Sequence, residues 1–585
     1  MSERTWRLAG LAILVIGAFL RLYYLALVPL HHDEGVNGNF LVPLVRNGQY
    51  TYNPENYHGP TLYYFSAIIP WITRFLGGKD FLEKYGLTTF NVRFVTAAFG
   101  VATIGLALLL RSRLGTIGAL CAAGLIAISP GAVYLSRYFI HESLYVFFTL
   151  GIVVAAVKYY DTGAASYLIL AALSAGLMVA TKETWIINGP VLLIAFLTTD
   201  LFVSLRKKQL PRLSIGLMLG LVIGPIAGAL LAGVVVLFAA VFPSLIPIGG
   251  GYLLVIIAGA VTGALIGPII GILHAFDRFG GIVPITTVML VAFTVFIVVS
   301  VLFYSSFFRN YPKGVSDALQ TLSLWRKRTH EHEHAWWQYI YWLFQEEGLI
   351  LTLGGVGALI AVWRGNNRFA LYIAQVAFGL LAAYSLVGYK TPWISLNFVV
   401  PLALIGGYAL NTVYEKLREF QQPLFFLLPV ALIVAFCGYQ LYQLNFVHYD
   451  DDDYVYVYAH TRRETLVMLE QIDRVANQLG TKNETGIALL SPEYWPLPWY
   501  FRNNPRVGYY QKVVSTTEPI IIASSGQEEE IKTTFGDQYQ QIDSSQLGDP
   551  RILPSRNPGG TFSLRPGVDL LLYVRRDVVQ KPATQ

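Results

Sequence analysis

Charge and cysteine are what this chain lacks. Only 13% of its 585 residues are Asp, Glu, Lys or Arg, where a soluble globular chain carries about a quarter. That deficit excludes an ordinary soluble protein of this size. The net charge of +6 is modest and is explained by basic loops beside a membrane, so no nucleic-acid partner is expected. The two cysteines, Cys121 and Cys437, both lie inside apolar runs, which excludes a disulfide framework.

What is present is apolar sequence: 54% of the residues are hydrophobic. A window of roughly 19 residues finds about thirteen runs long enough to cross a bilayer. They fall near 8–30, 91–110, 114–134, 143–160, 164–181, 184–203, 213–242, 251–273, 282–306, 348–364, 368–388, 393–411 and 423–446. The first follows Arg4 and Arg7, is too long for a signal-peptide core and lacks a small-x-small cleavage site, so it reads as a retained span. The expected fold class is a polytopic α-helical membrane protein.

Alternate loops carry Arg111 and Arg113, Lys158, Arg206 to Arg212, Arg278, Arg364 and Arg368, and Lys416 and Arg418. Positive loops stay in the cytoplasm, which places the N-terminus on the cytoplasmic side of the cell membrane. Nine of the ten histidines then fall outside, His274 being the exception. Residues 1–447 form the membrane domain, with outer loops 31–90 and 304–347. Each loop is expected to hold an interfacial helix, the first over Thr61–Leu76. Residues 448–585 are more polar. Helix-like stretches (Arg462–Leu479, Gln527–Phe535) alternate there with short apolar runs (Gly486–Leu490, Pro519–Ala523, Leu570–Val574), which reads as an extracytoplasmic α/β domain.

Two glycine ladders repeat at an offset of 43 residues: Gly216, Gly220, Gly224 and Gly228, then Gly259, Gly263, Gly267 and Gly271. Spacing of four puts each set on one helix face and permits close helix approach. Tight packing is the simpler account than a transport path.

The chemistry-bearing motifs sit at the outer mouths of the spans. His31-His32-Asp33-Glu34-Gly35 follows the first. Carboxylates at a membrane edge serve function or orientation. A sugar transferase needs one to take the acceptor's proton, and by spacing alone a solvated cap is an equal reading. Asn56-Tyr57-His58-Gly59-Pro60 offers a metal- or phosphate-binding histidine, or simply a turn. In Ser136-Arg137-Tyr138-Phe139-Ile140-His141-Glu142, Arg137 and His141 share a helix face, and an arginine suits a phosphate. Thr181-Lys182-Glu183 and Tyr389-Lys390-Thr391-Pro392-Trp393 put lysines at tight turns, with Trp393 able to stack on a sugar or sit in an aromatic belt. His330-Glu331-His332-Glu333-His334 resembles a metal cluster, yet a solvated helix start fits it better. Asp450–Asp453 reads as a solvated hinge.

Taken in order, these motifs, with Pro496-Leu497-Pro498-Trp499-Tyr500-Phe501-Arg502 in the tail, resemble the GT-C glycosyltransferase superfamily. Within it they resemble the dolichyl-phosphate-mannose–protein mannosyltransferase-like branch and its prokaryotic "flippase activity-associated protein" group. The resemblance implies an outward-facing cavity, a polyprenyl-phosphate-linked sugar donor and inverting transfer to an acceptor protein, lipid or glycan. Asp33 matches the catalytic acid, with Glu34 its neighbour. Arg137, Lys182 and Lys390 match cations near the donor phosphate. His58, His141, Glu142 and Trp393 are substrate-side candidates. Some relatives bind a divalent metal, for which His58, Glu142 and His332 are the candidates here. Ala335-Trp336-Trp337-Gln338-Tyr339 lacks the Asp and Gly of the oligosaccharyltransferase signature. The alternative function is a lipid-linked-sugar flippase or a scaffold for one.

Overall fold

The computed structural model describes residues 1–56, 58–209, 211–241, 256, 259, 260, 263, 282–328 and 332–579. Its helices are α1 (Glu3–Leu22), α2 (His32–Asn47), α3 (Thr61–Ser66), α4 (Ile68–Phe81), α5 (Thr89–Leu108), α6 (Thr116–Ile128), α7 (Pro130–Ser136), α8 (Glu142–Thr162), α9 (Ala165–Val179) and α10 (Trp185–Arg206). They continue with α11 (Arg212–Val241), α12 (Ile282–Tyr304), α13 (Lys313–Arg328), α14 (Gln338–Arg364), α15 (Arg368–Leu386), α16 (Leu396–Glu419), α17 (Leu427–Tyr442), α18 (Glu464–Leu479) and α19 (Glu528–Phe535).

Ten of the described helices are long and apolar enough to cross a membrane, and α6 with α7 makes an eleventh span bent by 59°. The apolar α9 is shorter. Twelve of the thirteen expected runs are thereby accounted for, and the run at 251–273 lies largely outside the described residues. The bend follows from sequence. Pro130 opens α7, and the Ser129 hydroxyl accepts from the Ala132 N–H, so the chain restarts with its own cap. The freed Gly131 N–H and the Ser129 hydroxyl both donate to Glu347 Oε1, at 2.8 and 2.6 Å. Glu347 is thus held inside α14, at a non-helical kink. That helix starts at Gln338 rather than near 348, because the carboxylates of Glu346 and Glu347 have backbone donors.

The central helix is α16, almost wholly buried. Small residues let its neighbours approach. A Cβ on Gly357 would collide with the Ile405 carbonyl, and one on Gly228 with the Gly259 carbonyl. The two glycine ladders therefore meet backbone to backbone where Gly224 and Gly228 face Gly259 and Gly263; Gly267 and Gly271 lie outside the described residues.

After His448 the chain first packs on the helical domain, with Tyr449, Tyr456 and Val457 in its core. Asp450 in this stretch is not solvated as expected. It is buried in a bidentate pair with Arg463. The tail then forms one sheet from β1 (Ile487–Leu489), β2 (Val507–Tyr509), β3 (Ile520–Ser524), β4 (Tyr539–Gln541), β5 (Phe562–Arg565) and β6 (Val568–Arg575). The order is β2-β1-β3-β6-β4, with the first two pairings parallel and those to β6 antiparallel. β5 pairs with the start of β6 and β4 with its end. Alternation divides the faces: Ile520, Ile522 and Leu572 pack toward α18, and Ile521, Leu571 and Tyr573 toward α19. The short apolar runs of the sequence are thus two-sided strands.

Candidate functional site

Asp33 and Glu34 are neighbours in sequence and diverge in space. His31 is the N-cap of α2. Its Nδ1 accepts the Asp33 N–H at 3.0 Å, and Glu34 accepts the His31 N–H at 2.9 Å, a reciprocal capping box. Glu34 therefore turns inward. It is fully buried and meets both Arg93 Nε and Nη2, at 2.7 and 2.6 Å, and the Phe139 N–H at 2.7 Å. Burial opposes its charge, yet Arg93 and the two backbone donors hold its carboxyl below the ordinary range. Arg93 also donates to the carbonyls of Leu25, Val28 and Pro29. The pair consequently fixes the turn from α1 into α2. Glu34 does not line the cavity that Asp33 faces.

Asp33 points the other way. Its side chain is 43% exposed and lines a cavity of about 380 Å³, a volume typical of small-ligand sites. It sits in the first turn of α2, where the helix dipole favours an anion. Since His31 Nδ1 accepts, its Nε2 carries the proton donated to the Tyr458 carbonyl at 3.1 Å. This neutral tautomer agrees with burial pushing the imidazole well below its usual range.

His58, His141, Glu142, Lys182 and Trp393 line the same cavity. The turn carrying His58 docks on the one carrying Lys182: the Gly59 N–H donates to the Thr181 carbonyl at 3.0 Å, and a Cβ on Gly59 would strike the Ala180 carbonyl. This close approach is why the turn contains glycine. His58 Nδ1 meets Glu183 Oε2 at 3.0 Å. Lys182 Nζ pairs with Glu142, both buried. His141 donates from Nε2 to the Gly59 carbonyl at 3.1 Å, leaving Nδ1 buried without a partner.

Two expected phosphate contacts are not brought to this cavity. Arg137 is 4% exposed, and its guanidinium donates to the carbonyls of Leu20, Arg21, Tyr23 and Tyr24. It satisfies the orphan carbonyls at the end of α1. Lys390 is buried, and its Nζ donates to the carbonyls of His334 and Val387. Its neighbours Tyr389 and Thr391 reach the cavity instead. The described part of the His-Glu cluster is not a helix start. Glu333 bridges Tyr389, and the Lys390 N–H donates to the His332 carbonyl at 3.2 Å. His330 and Glu331 lie outside the described residues.

Sequence reasoning missed Tyr458 and Arg565, which complete one wall. Arg565, in β5, pairs with Glu493 and donates to the Trp495 carbonyl at 3.3 Å. Only tertiary folding brings a residue of the sheet domain to a cavity opened by α2, and no local motif marks it.

Residues 69–227 match the family model described as dolichyl-phosphate-mannose-protein mannosyltransferase. No curated protein matches the chain in sequence. Among solved structures, the oligosaccharyltransferase of Archaeoglobus fulgidus tethered with an acceptor peptide is similar over 90% of this chain and 70% of its own, at 16% identity and TM-score 0.52. ArnT from Cupriavidus metallidurans bound to undecaprenyl phosphate is similar over 98% of both chains, at 12% identity and TM-score 0.51. This chain has the GT-C fold.

A second structure of the Archaeoglobus enzyme, with Zn and sulfate, is similar at 14% identity and TM-score 0.50. Whether a cation suits this chain depends on its own residues. Among the described residues no group of three His, Cys, Asp or Glu is placed to hold one. Of the three candidates, His58 is engaged by Glu183, Glu142 by Lys182, and His332 Nδ1 by the Tyr458 hydroxyl at 2.8 Å. In this arrangement the three candidates are turned to protein partners and are not gathered around one point.

Proposed function

We propose that this chain transfers a sugar from a polyprenyl-phosphate-linked donor to an acceptor hydroxyl, with inversion. The observation that carries the reading is Asp33, an accessible carboxylate in a built cavity whose sequence neighbour is locked away. As the acceptor oxygen attacks the anomeric carbon, Asp33 takes its proton and the bond to the donor phosphate breaks. Lys182, supported by Glu142, and Arg565 are cations of the same cavity able to balance charge growing on the leaving phosphate. The matched family's description names a dolichyl-phosphate-linked donor and a protein acceptor, and one structural neighbour holds undecaprenyl phosphate. Both support a lipid-phosphate donor. The basic loops support a cytoplasmic-membrane orientation with the N-terminus inside and the cavity and sheet domain outside.

The test is Asp33→Asn, assayed for sugar transfer from a labelled polyprenyl-phosphate sugar in vesicles. Loss of a general base is expected to lower turnover by about 10²–10⁴-fold with expression unchanged. Wild-type turnover in the variant removes Asp33 from this role. Transbilayer movement of the labelled donor by the wild type, without covalent transfer, replaces the reading with that of a flippase or its scaffold.

A further inference from the structure

A second cavity lies at the other end of the helical domain. Spans α8, α10, α14 and α16 start beside the first cavity, near Glu142, Trp185, Tyr339 and Trp393, and run away from it. At 1.5 Å per residue they end roughly 30 Å further on. The second cavity, of about 630 Å³, is built by the far parts of α10, α14 and α16, by residues 112–115 and by the start of α15. Its charged lining residues are Arg113, Lys207, Arg364, Arg368 and Glu415, so four cations face one acid.

Apart from Arg113, these cations are only loosely engaged by protein carboxylates. Lys207, Arg364 and Arg368 are exposed, and the nearest carboxylate to Arg368 is Asp200, at 3.9 Å. Arg113 pairs through Nη2 with Asp161 while its Nε is buried with no partner. The lone acid, Glu415, already accepts from Asn411 at 2.7 Å. The start of α15, capped by Asn367, turns its positive dipole end to the same space. Planar guanidinium forks beside a helix N-terminus are donors matched to phosphate oxygens. An apolar flank adjoins the opening: Leu205, Val362 and Trp363 are more than half exposed, and Arg206 ties the two helix ends by donating to the Val362 and Trp363 carbonyls at 3.1 and 2.9 Å.

We infer that this cavity binds a phosphate group at the membrane face opposite the candidate active site, the phosphate being that of an anionic lipid headgroup whose chains lie along the apolar flank. Basic pockets between spans are the membrane setting for such recognition. The full-length protein in phosphatidylcholine nanodiscs doped with phosphatidylglycerol provides the test, with retained lipid counted by native mass spectrometry. Arg364→Gln with Arg368→Gln is expected to lower retention roughly thirty-fold, each cation contributing about a factor of five. Lys416→Gln with Arg418→Gln removes equal charge from the same face outside the cavity and is expected to change nothing comparable. Because all four residues are exposed, folding is expected to persist, and Lys207→Gln supplies a second, milder variant. Inorganic phosphate added to phosphatidylcholine-only nanodiscs distinguishes the source: saturable thermal stabilisation by it, without lipid retention, keeps the phosphate site and assigns it a soluble ion. Equal losses in the two double variants, or binding of neither probe, overturns the site.

Discussion

The two ends of the helical domain handle charge in opposite ways. Around the candidate active site, charges are buried and pre-paired: Glu34 with Arg93 and Glu142 with Lys182. Two carboxylates that line the cavity, Asp33 and Glu55, are left accessible. At the far end three of the four cations, Lys207, Arg364 and Arg368, are exposed around a larger cavity, and the Arg368–Asp200 pair is loose. Buried pairs fix geometry, and removing one partner strands the other in a low-dielectric site at a cost of about 3–5 kcal/mol. Exposed pairs are worth about 0–1 kcal/mol. Precision at the first end therefore comes from which carboxylates are left accessible. Binding at the second comes from how many cations surround one space.

The sharpest division is between adjacent residues. Glu34→Ala leaves the Arg93 guanidinium buried without its acid, and is expected to destabilise the protein by about 3–5 kcal/mol and to abolish activity by releasing the turn. Asp33→Ala is expected to change stability by no more than about 0.5 kcal/mol while removing transfer. Thermal melts of detergent-solubilised protein check both. Equal destabilisation at 33 and 34 breaks the distinction between a positioning and a reacting acid.

A smaller effect is expected at the Glu142–Lys182 pair. Glu142→Gln, Lys182→Met and the double variant form a thermodynamic cycle, with a coupling of about 1–3 kcal/mol. Recovery of stability in the double variant without recovery of activity supports Lys182 as a substrate-facing cation. A coupling near zero removes the pair from the buried class.

Acid is expected to separate the ends further. His31 and His141 are held neutral by burial, His141 also by His58 and Lys182. Below about pH 6.5 the unfolded chain takes up protons that the folded one does not, so stability falls as pH drops. Glu34 and Asp450 both have folded values below the ordinary one despite burial, held there by Arg93 and Arg463. Their contribution is complete above about pH 4.3 and is lost as pH falls toward those folded values. Melting temperature against pH is expected to fall in two stages. His141→Gln is expected to shrink the upper one alone.

Much of the architecture was legible because it repeats with a simple period. Long apolar runs marked the spans, and short two-sided apolar runs marked β1, β3 and β6. The edge strands β2 and β4 were not legible, since three residues such as Tyr539–Gln541 carry no alternation. Neither was the fate of each cation. Arg137 and Lys182 look alike in sequence, both at the ends of apolar runs. Carbonyls at the end of α1, more than a hundred residues away in sequence, claim the first, while a carboxylate inside the cavity holds the second. The same competition turned Lys390 toward two carbonyls. Arg565 lacked any signal because its place depends on how the sheet domain docks.

The smallest expected effect tests the far end. Arg368→Gln removes a guanidinium that is 54% exposed and 3.9 Å from Asp200. Asp200 keeps its other partners, the Ser214 N–H at 3.2 Å and the Ser214 hydroxyl at 2.7 Å, so no buried charge is stranded. The expected stability change is within about 0.5 kcal/mol, measured by the same melts, while retention of anionic lipid falls. A loss as large as that of Glu34→Ala would mean that Arg368 is structural, that the two ends handle charge alike, and that the second cavity is a consequence of packing rather than a place for a ligand.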